Sequence, residues 1–210
     1  MKTALEALER LRDGNRRFAE GIRDRSVGPS LLNRRMEVVD GQEPFAIVLG
    51  CSDSRVPAEI VFDQGIGDLF VIRVAGNIIA PSLVGSVEYA AALSGTCLVV
   101  VMGHSGCGAV TATVDELERP MANRSPNLRS IVDRIRPSVD AVVEANEGMD
   151  RETLIALAVR ANIRSSVSHL RHGSEVLEQL IADQRLLVVG AEYSLATGLV
   201  DFFDGMPEGH

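Results

Sequence analysis

The sequence has no tryptophan and few other aromatic residues, with six Phe and two Tyr among 210 residues. Its hydrophobic core must therefore be built mainly from Val, Leu, Ile and Ala. No apolar run approaches the roughly 18 residues of a membrane-spanning helix, and the first residues alternate charged and apolar positions, unlike a secretory signal. We therefore expect a cytoplasmic protein with no membrane partner.

Cysteines are also few, and basic residues are fewer than acidic ones. Three cysteines, an odd number, do not suggest a disulfide framework. Cys97 lies inside an apolar run and is interpreted as a buried core residue, whereas Cys51 and Cys107 lie in polar turns. Acidic residues outnumber basic ones by 29 to 21 and give a net charge of -8, which argues against nucleic-acid and anionic-membrane partners because both attract basic surfaces.

The apolar pattern predicts an α/β fold with a mostly parallel central sheet of four strands plus an edge strand, flanked by helices. The near-continuous apolar runs are typical of parallel strands covered on both faces; they are Phe45–Leu49, Leu69–Val74, Cys97–Met102 and Leu186–Val189. The predicted helices are residues 4–20, Leu83–Leu93, Ala109–Leu117, Asn127–Ala145, Glu152–Leu170 and Ser174–Asp183. The end of the chain predicts a hairpin or edge strand that turns at Thr197-Gly198.

The length of the chain fits a single domain over residues 1–210. We expect residues 1–43 to form an N-terminal arm with an amphipathic helix over residues 4–20, and the polar, irregular residues 22–44 to lead from this helix to the core. The α/β core begins at residue 44. The apolar face of the arm helix could cover either its own core or a partner subunit.

Two short motifs carry metal-ligating atoms. Cys51 follows the first predicted strand in the motif CSDSR, and His104 and Cys107 follow the third in HSGC. Because ligands collect at the carboxyl ends of parallel strands, we expect both motifs at one edge of the sheet. Two thiolates and one imidazole form a three-ligand zinc set that leaves a position open for water, as a catalytic zinc requires. The motifs therefore predict an enzyme with one zinc ion per chain; buried His and Cys side chains without metal are the alternative.

Asp53 and Arg55 place charge beside this ligand set. Asp53 could accept a hydrogen bond from metal-bound water or hydroxide, or could become a fourth ligand that closes the site. Arg55 could pair with the Asp53 carboxylate in a fork geometry and hold it off the metal. A surface salt bridge within a turn is the alternative interpretation.

The stretches CSDSR, VPAEIVFDQGIGDLFVIRVAGN, SVEYA and VVVMGHSGCGAV together resemble the β-class carbonic anhydrases. The resemblance is close over residues 44–112 and extends more loosely to nearly the whole chain. It implies a zinc lyase that interconverts carbon dioxide and bicarbonate by zinc-bound hydroxide, built as a homodimer or higher homo-oligomer. Matched by position, Cys51, His104 and Cys107 are the implied zinc ligands, and Asp53 and Arg55 are the implied catalytic pair.

The same resemblance implies a substrate pocket. Gln42 falls where plant-type members place a side-chain amide at the substrate, with an ordinary solvated glutamine as the alternative. Phe70, Ala75 and Tyr89 fall at pocket-lining positions, Tyr89 from the neighbouring subunit, although Phe70 and Ala75 could equally belong to the core. Gly108 would donate its backbone N–H to a bound anion at a helix N-terminus.

One departure from the family pattern is informative. Some bacterial members bind bicarbonate at a regulatory pocket that contains a Trp three residues before the first Cys ligand, where this chain has Val48. Arg73 matches the arginine position of that pocket, but without the Trp the sequence resembles the non-allosteric, plant-type site.

Two other functions stay open at this point. One is hydrolysis of carbonyl sulfide or carbon disulfide on the same scaffold. The other is a non-catalytic zinc or redox module in which Asp53 is a permanent fourth ligand, and an intact Arg55 argues against it.

Overall fold

The computed structural model describes residues 3–22, 35–118 and 125–207, which form a five-stranded sheet covered by helices. The strands are β1 (Ala46–Gly50), β2 (Leu69–Arg73), β3 (Leu98–His104), β4 (Leu187–Tyr193) and β5 (Val200–Asp204). Their order across the sheet is β2-β1-β3-β4-β5. The first four strands pair in parallel and β5 pairs antiparallel to β4, so the predicted parallel sheet with one added edge strand is confirmed.

Residues 35–37, within the segment predicted to be irregular, are helical, and seven further helices of the described ranges surround the sheet. They are α1 (Ala4–Ala19), α2 (Ala58–Val61), α3 (Pro81–Glu88), α4 (Gly108–Glu118), α5 (Pro126–Ala145), α6 (Arg151–His172) and α7 (Glu175–Ala182). A 3-10 turn at Ala75–Asn77 follows β2, and a π-helical stretch at Tyr89–Leu93 continues α3. All six predicted helices are present, and their ends are shifted by at most two residues when the π-helical stretch is counted with α3. The four-residue α2 is too short to show a helical repeat.

Most of the polar segment predicted over residues 22–44 cannot be compared, because residues 23–34 lie outside the described ranges. Each helix within those ranges is too short or too polar to cross a bilayer.

The core has two layers because alternate residues of a strand point to opposite faces of the sheet. In β1, Ile47 and Leu49 belong to the layer that includes buried residues of α3 to α7, whereas Ala46 and Val48 belong to the layer that includes those of α1 and α2. Strands β1 and β3 are buried along their whole length, as predicted for parallel strands covered on both sides. Cys97 is buried just before β3, as predicted.

Strand β2 contradicts the prediction of burial on both faces. Leu69, Phe70 and Val71 are half-buried, Ile72 is buried and Arg73 is exposed. The reason is position, since β2 is the outer strand of the sheet and pairs with β1 alone in the described part of the chain.

The fourth predicted strand is longer than its apolar run. It was predicted to end at Val189, but β4 continues through Gly190 and Glu192 to Tyr193. Pairing with β3 on one side and β5 on the other supports these residues, which local composition does not favour as strand.

Helix α1 packs on the core of its own chain. Ala7, Leu8 and Leu11 are fully buried in the layer that contains Val48 and Phe62. Of the two placements that the sequence left open for this helix, the structure shows the first.

Two adjacent residues dock α1. Gly14 approaches Phe62 so closely that an added Cβ would lie 1.9 Å from the Phe62 carbonyl oxygen. Asn15 is buried; its Nδ2 donates to the carbonyls of Val61 (3.1 Å) and Gly198 (2.8 Å), and its Oδ1 accepts from the backbone N–H of Val200 (2.8 Å). Asn15 therefore joins α1 to α2 and to the turn before β5.

The close docking predicts that Gly14→Ala lowers the free energy of unfolding by about 1–3 kcal/mol, the usual cost of overpacking. The control is Gly85→Ala in α3, where no described atom beyond its own helix backbone lies within 4 Å of the added Cβ. There we expect stabilisation by roughly 0.5–1 kcal/mol, because glycine weakens a helix interior. Urea unfolding followed by circular dichroism measures both variants, and equal effects would contradict the docking.

Candidate metal centre

Three metal-ligating side chains meet at the carboxyl end of the sheet. Cys51 directly follows β1, His104 is the last residue of β3, and Cys107 directly precedes α4. Their ligating atoms all lie within 4.8 Å of one another, and all three residues are buried. Strands β1 and β3 are neighbours, so their parallel pairing brings the two motifs together, as the sequence predicted.

The imidazole of His104 has one nitrogen available to a metal. Its Nδ1 lies 3.0 Å from the carbonyl oxygen of Ser105. Because a carbonyl only accepts, Nδ1 carries the proton and Nε2 keeps its lone pair. Nε2 is buried and has no hydrogen-bond partner among the described residues. A buried polar atom without a partner is costly, and a metal ion would satisfy this one.

The two thiols compete for a proton. Their Sγ atoms are 4.0 Å apart, and a hydrogen bond from Cys107 lowers the pKa of Cys51 to about 4. The same bond, together with burial, raises the pKa of Cys107. Burial would lower the pKa of His104, but the neighbouring Cys51 thiolate raises it overall. The thiolate is the form of cysteine that binds metal, and binding would release the remaining proton.

These donors fit a borderline or soft metal ion. One imidazole nitrogen and two thiolate sulfurs are the ligand types of zinc sites, and three protein ligands are the number found when zinc is catalytic. The buried Nε2 of His104, which has no hydrogen-bond partner among the described residues, is an independent observation that fits a bound metal ion.

Asp53 lies at the rim of the cluster in a fork with Arg55. Nε and Nη2 of Arg55 donate to Oδ1 (3.0 Å) and Oδ2 (2.8 Å) of Asp53, and the Arg55 backbone N–H also donates to Oδ1 (3.0 Å). These bonds hold the pKa of Asp53 well below its ordinary value. The Asp53 carboxylate in turn raises the pKa of Arg55. Oδ2 of Asp53 lies 3.8 Å from Nε2 of His104, so a permanent anion stands beside the cluster.

A second arginine holds the backbone of the same loop. Nε of Arg73, at the end of β2, donates to the carbonyl of Cys51 (3.0 Å), and Nη2 donates to the carbonyl of Asp53 (2.6 Å). Sequence reasoning connected Arg73 only with a regulatory pocket. The sequence signal that could have indicated this role was the single charge of Arg73 at the end of the apolar run of β2.

The predicted pocket residues lie in different environments. Phe70 is half-buried on β2, and its ring centroid is 6.2 Å from that of Tyr89, which is 51% exposed. Ala75 is half-buried in the 3-10 turn after β2, and Gly108 is exposed as the first residue of α4, beside Cys107. Gln42 is exposed in the segment before β1. Their contacts with a substrate stay predictions.

Comparison with known proteins identifies the family. Residues 46–200, which include the whole cluster and both arginines, match the family model described as carbonic anhydrase. The chain is 38% identical over 196 residues to the carbonic anhydrase of Mycolicibacterium smegmatis, with 93% of this chain and 91% of that protein covered.

Solved structures agree with this assignment. The β-carbonic anhydrase CcaA has a TM-score of 0.74 at 26% identity, with 96% of this chain and 93% of that chain covered. The tetrameric β-carbonic anhydrases of Sordaria macrospora share the fold, with a TM-score of 0.72 at 22% identity and coverage of 84% and 87%. The predicted resemblance is confirmed, and the chain belongs to the β class of carbonic anhydrases.

Proposed function

We propose that the protein interconverts carbon dioxide and bicarbonate with one zinc ion per chain, held by Cys51, His104 and Cys107. The buried cluster with an unpartnered Nε2 lone pair carries this proposal, and membership of the carbonic anhydrase family supports it. When bound, zinc supplies the Lewis acidity that makes water a nucleophile near neutral pH.

Asp53 is proposed to orient the attacking water. As a permanent anion it accepts a hydrogen bond from that water and so directs an oxygen lone pair at the carbon of carbon dioxide. Both of its oxygens are engaged by Arg55. Arg55 therefore holds the carboxylate off the metal and keeps it available as an acceptor, so the non-catalytic module with a permanent Asp53 ligand is disfavoured.

The remaining site residues are proposed to hold the substrate. Phe70 and Ala75 provide apolar surface suited to carbon dioxide, and the Tyr89 side chain of a neighbouring subunit completes that wall. The backbone N–H of Gly108 begins an 11-residue helix and suits the negative charge of bicarbonate. The Gln42 amide is proposed as a further hydrogen-bonding group.

We also propose a homodimer or higher homo-oligomer of single-domain chains in the cytoplasm. Strand β2 leaves a half-buried apolar run at the edge of the sheet, and the nearby Tyr89 is 51% exposed. A partner subunit would cover this edge, which would otherwise invite aggregation, and the fold is shared with tetrameric enzymes. The three free thiols suit a reducing compartment.

Stopped-flow carbon dioxide hydration on zinc-quantified protein tests the proposed reaction. We expect activity in proportion to zinc content and a rise from mildly acidic to alkaline pH. Because the pKa of Asp53 is lowered, Asp53 stays ionised throughout this range, and the rise reports the activated water instead. One zinc per chain without hydration at any pH would overturn the proposal and make carbonyl sulfide the next substrate to assay.

Replacing the proposed orienting group gives a second test. Asp53→Asn should retain zinc but lower kcat/KM by about a hundredfold or more, because the amide is a weaker and misdirected acceptor. The matched control is Asp63→Asn, which breaks a comparable bond from Arg17 (2.6 Å) outside the cluster. Full activity of Asp53→Asn would remove Asp53 from the mechanism.

Releasing the carboxylate gives a third test. Arg55→Ala should let Asp53 bind the metal, so zinc X-ray absorption should show an added carboxylate oxygen while hydration activity falls. Arg17→Ala, which frees Asp63, should change neither. An unchanged zinc coordination shell in the Arg55 variant would contradict the holding role of Arg55.

A further inference from the structure

Helix α6 places two polar side chains in the core beneath the metal cluster. Asn162 is 2% exposed and Ser166 is 5% exposed, one helical turn apart. Their neighbours on the buried face are mostly apolar: Ala158, Val159, Ile163 and Val167. Burying polar groups among apolar ones costs free energy unless hydrogen bonds compensate. The hydrogen-bond partners of Asn162 and Ser166 therefore show which segment these side chains stabilise.

Both side chains bind the 3-10 turn at Ala75–Asn77. Nδ2 of Asn162 donates to the carbonyl of Gly76 (2.8 Å), and Oγ of Ser166 donates to the carbonyl of Asn77 (3.0 Å). Gly76 has a φ of 70° and Asn77 a φ of 42°, both in the left-handed region. That region is unfavourable for most residues, so the two bonds from α6 help to hold the turn in this conformation.

The same turn contacts the metal cluster. The backbone N–H of Gly76 donates to Sγ of Cys51 at 3.4 Å. Asn162 and Cys51 are therefore connected through a single residue, one at its carbonyl and the other at its N–H. Gly76 also has no room for a side chain, because an added Cβ would lie 2.7 Å from Cδ1 of Ile135.

Helix α6 supports the second ligand strand at the same level. Ile163, next to Asn162, packs on Gly103, where an added Cβ would lie 2.6 Å from the Ile163 side chain. Gly103 directly precedes His104 in β3. One turn of α6 therefore contacts both the turn that binds Cys51 and the strand that carries His104.

We propose that Asn162 is a positioning residue of the metal centre. By binding the Gly76 carbonyl it directs the Gly76 N–H at the Cys51 thiolate, and Ser166 supports the same turn through Asn77. Asn162 contacts neither metal nor substrate, and the inference rests on the proposed role of Cys51 as a ligand. Hydrogen bonds to metal ligands orient them and tune the metal, and their loss typically weakens metal binding 10- to 100-fold.

The test compares Asn162→Leu with Asn15→Leu. Each variant removes a buried asparagine that donates to backbone carbonyls, but Asn15 lies in α1 and its bonds join α1 to α2 and the turn before β5. Two properties are measured without substrate: the rate at which zinc transfers to a chromophoric chelator, and the near-ultraviolet thiolate-to-metal band of the cobalt-substituted protein. Unfolding midpoints are recorded for both variants.

We expect Asn162→Leu to accelerate zinc release about tenfold or more and to shift the cobalt band, whereas Asn15→Leu lowers the unfolding midpoint but changes neither property. If Asn162→Leu does not fold, Ser166→Ala removes a single bond from the same turn and should change both properties in the same direction by less.

Unchanged zinc release and an unchanged cobalt band in a folded Asn162 or Ser166 variant would overturn the inference, as would equal changes in Asn15→Leu. Wild-type protein that binds no metal would overturn it together with the proposed zinc site. Because neither readout needs turnover, zinc-loaded protein without carbon dioxide hydration would refute the proposed reaction and leave this test intact.

Discussion

The parallel pairing of β1 with β3 is the constraint on which the cluster depends. Gly50 pairs with Met102, so Cys51 leaves the sheet beside the strand that ends in His104. Because side chains alternate across a strand, a register shift of one residue would turn the facing side chains to the opposite layer. The complete burial of both strands on both faces makes such a shift costly, and the geometry of the cluster is therefore held by the core.

The polar groups of the cluster and its surroundings differ between the buried side and the exposed side. On the buried side, Sγ of Cys51 lies 4.0 Å from Sγ of Cys107 and accepts a hydrogen bond from the Gly76 N–H. On the exposed side the Asp53 carboxylate is held by Arg55, whose side chain is 58% exposed. The candidate metal ligands are thus held from the buried side, whereas Arg55, which holds Asp53, lies on the exposed side.

Local signals in the sequence predicted most of the fold. Apolar runs of strand length located β1 and β3, and helical periodicity located α6 to within two residues, because burial requires apolar side chains wherever the chain is covered. The same signal located β2 but wrongly predicted burial on both of its faces, because β2 lies at the sheet edge, and it stopped β4 at Val189. In both cases the outcome depends on which strand lies alongside, and a local run carries no information about its neighbour.

The candidate ligands could be proposed from the chain alone, because Cys51, His104 and Cys107 are ligating residue types that follow predicted strands, and the structure brings them together. The three-dimensional arrangement added how these three residues are held. Asn162 and Gly76 are 86 residues apart in sequence, and Arg73 reaches back across 22 residues to the Cys51 carbonyl. The first contact arises when α6 packs on the sheet and the second when β2 pairs with β1, and hydrogen bonds between such distant residues leave no periodic pattern in the sequence.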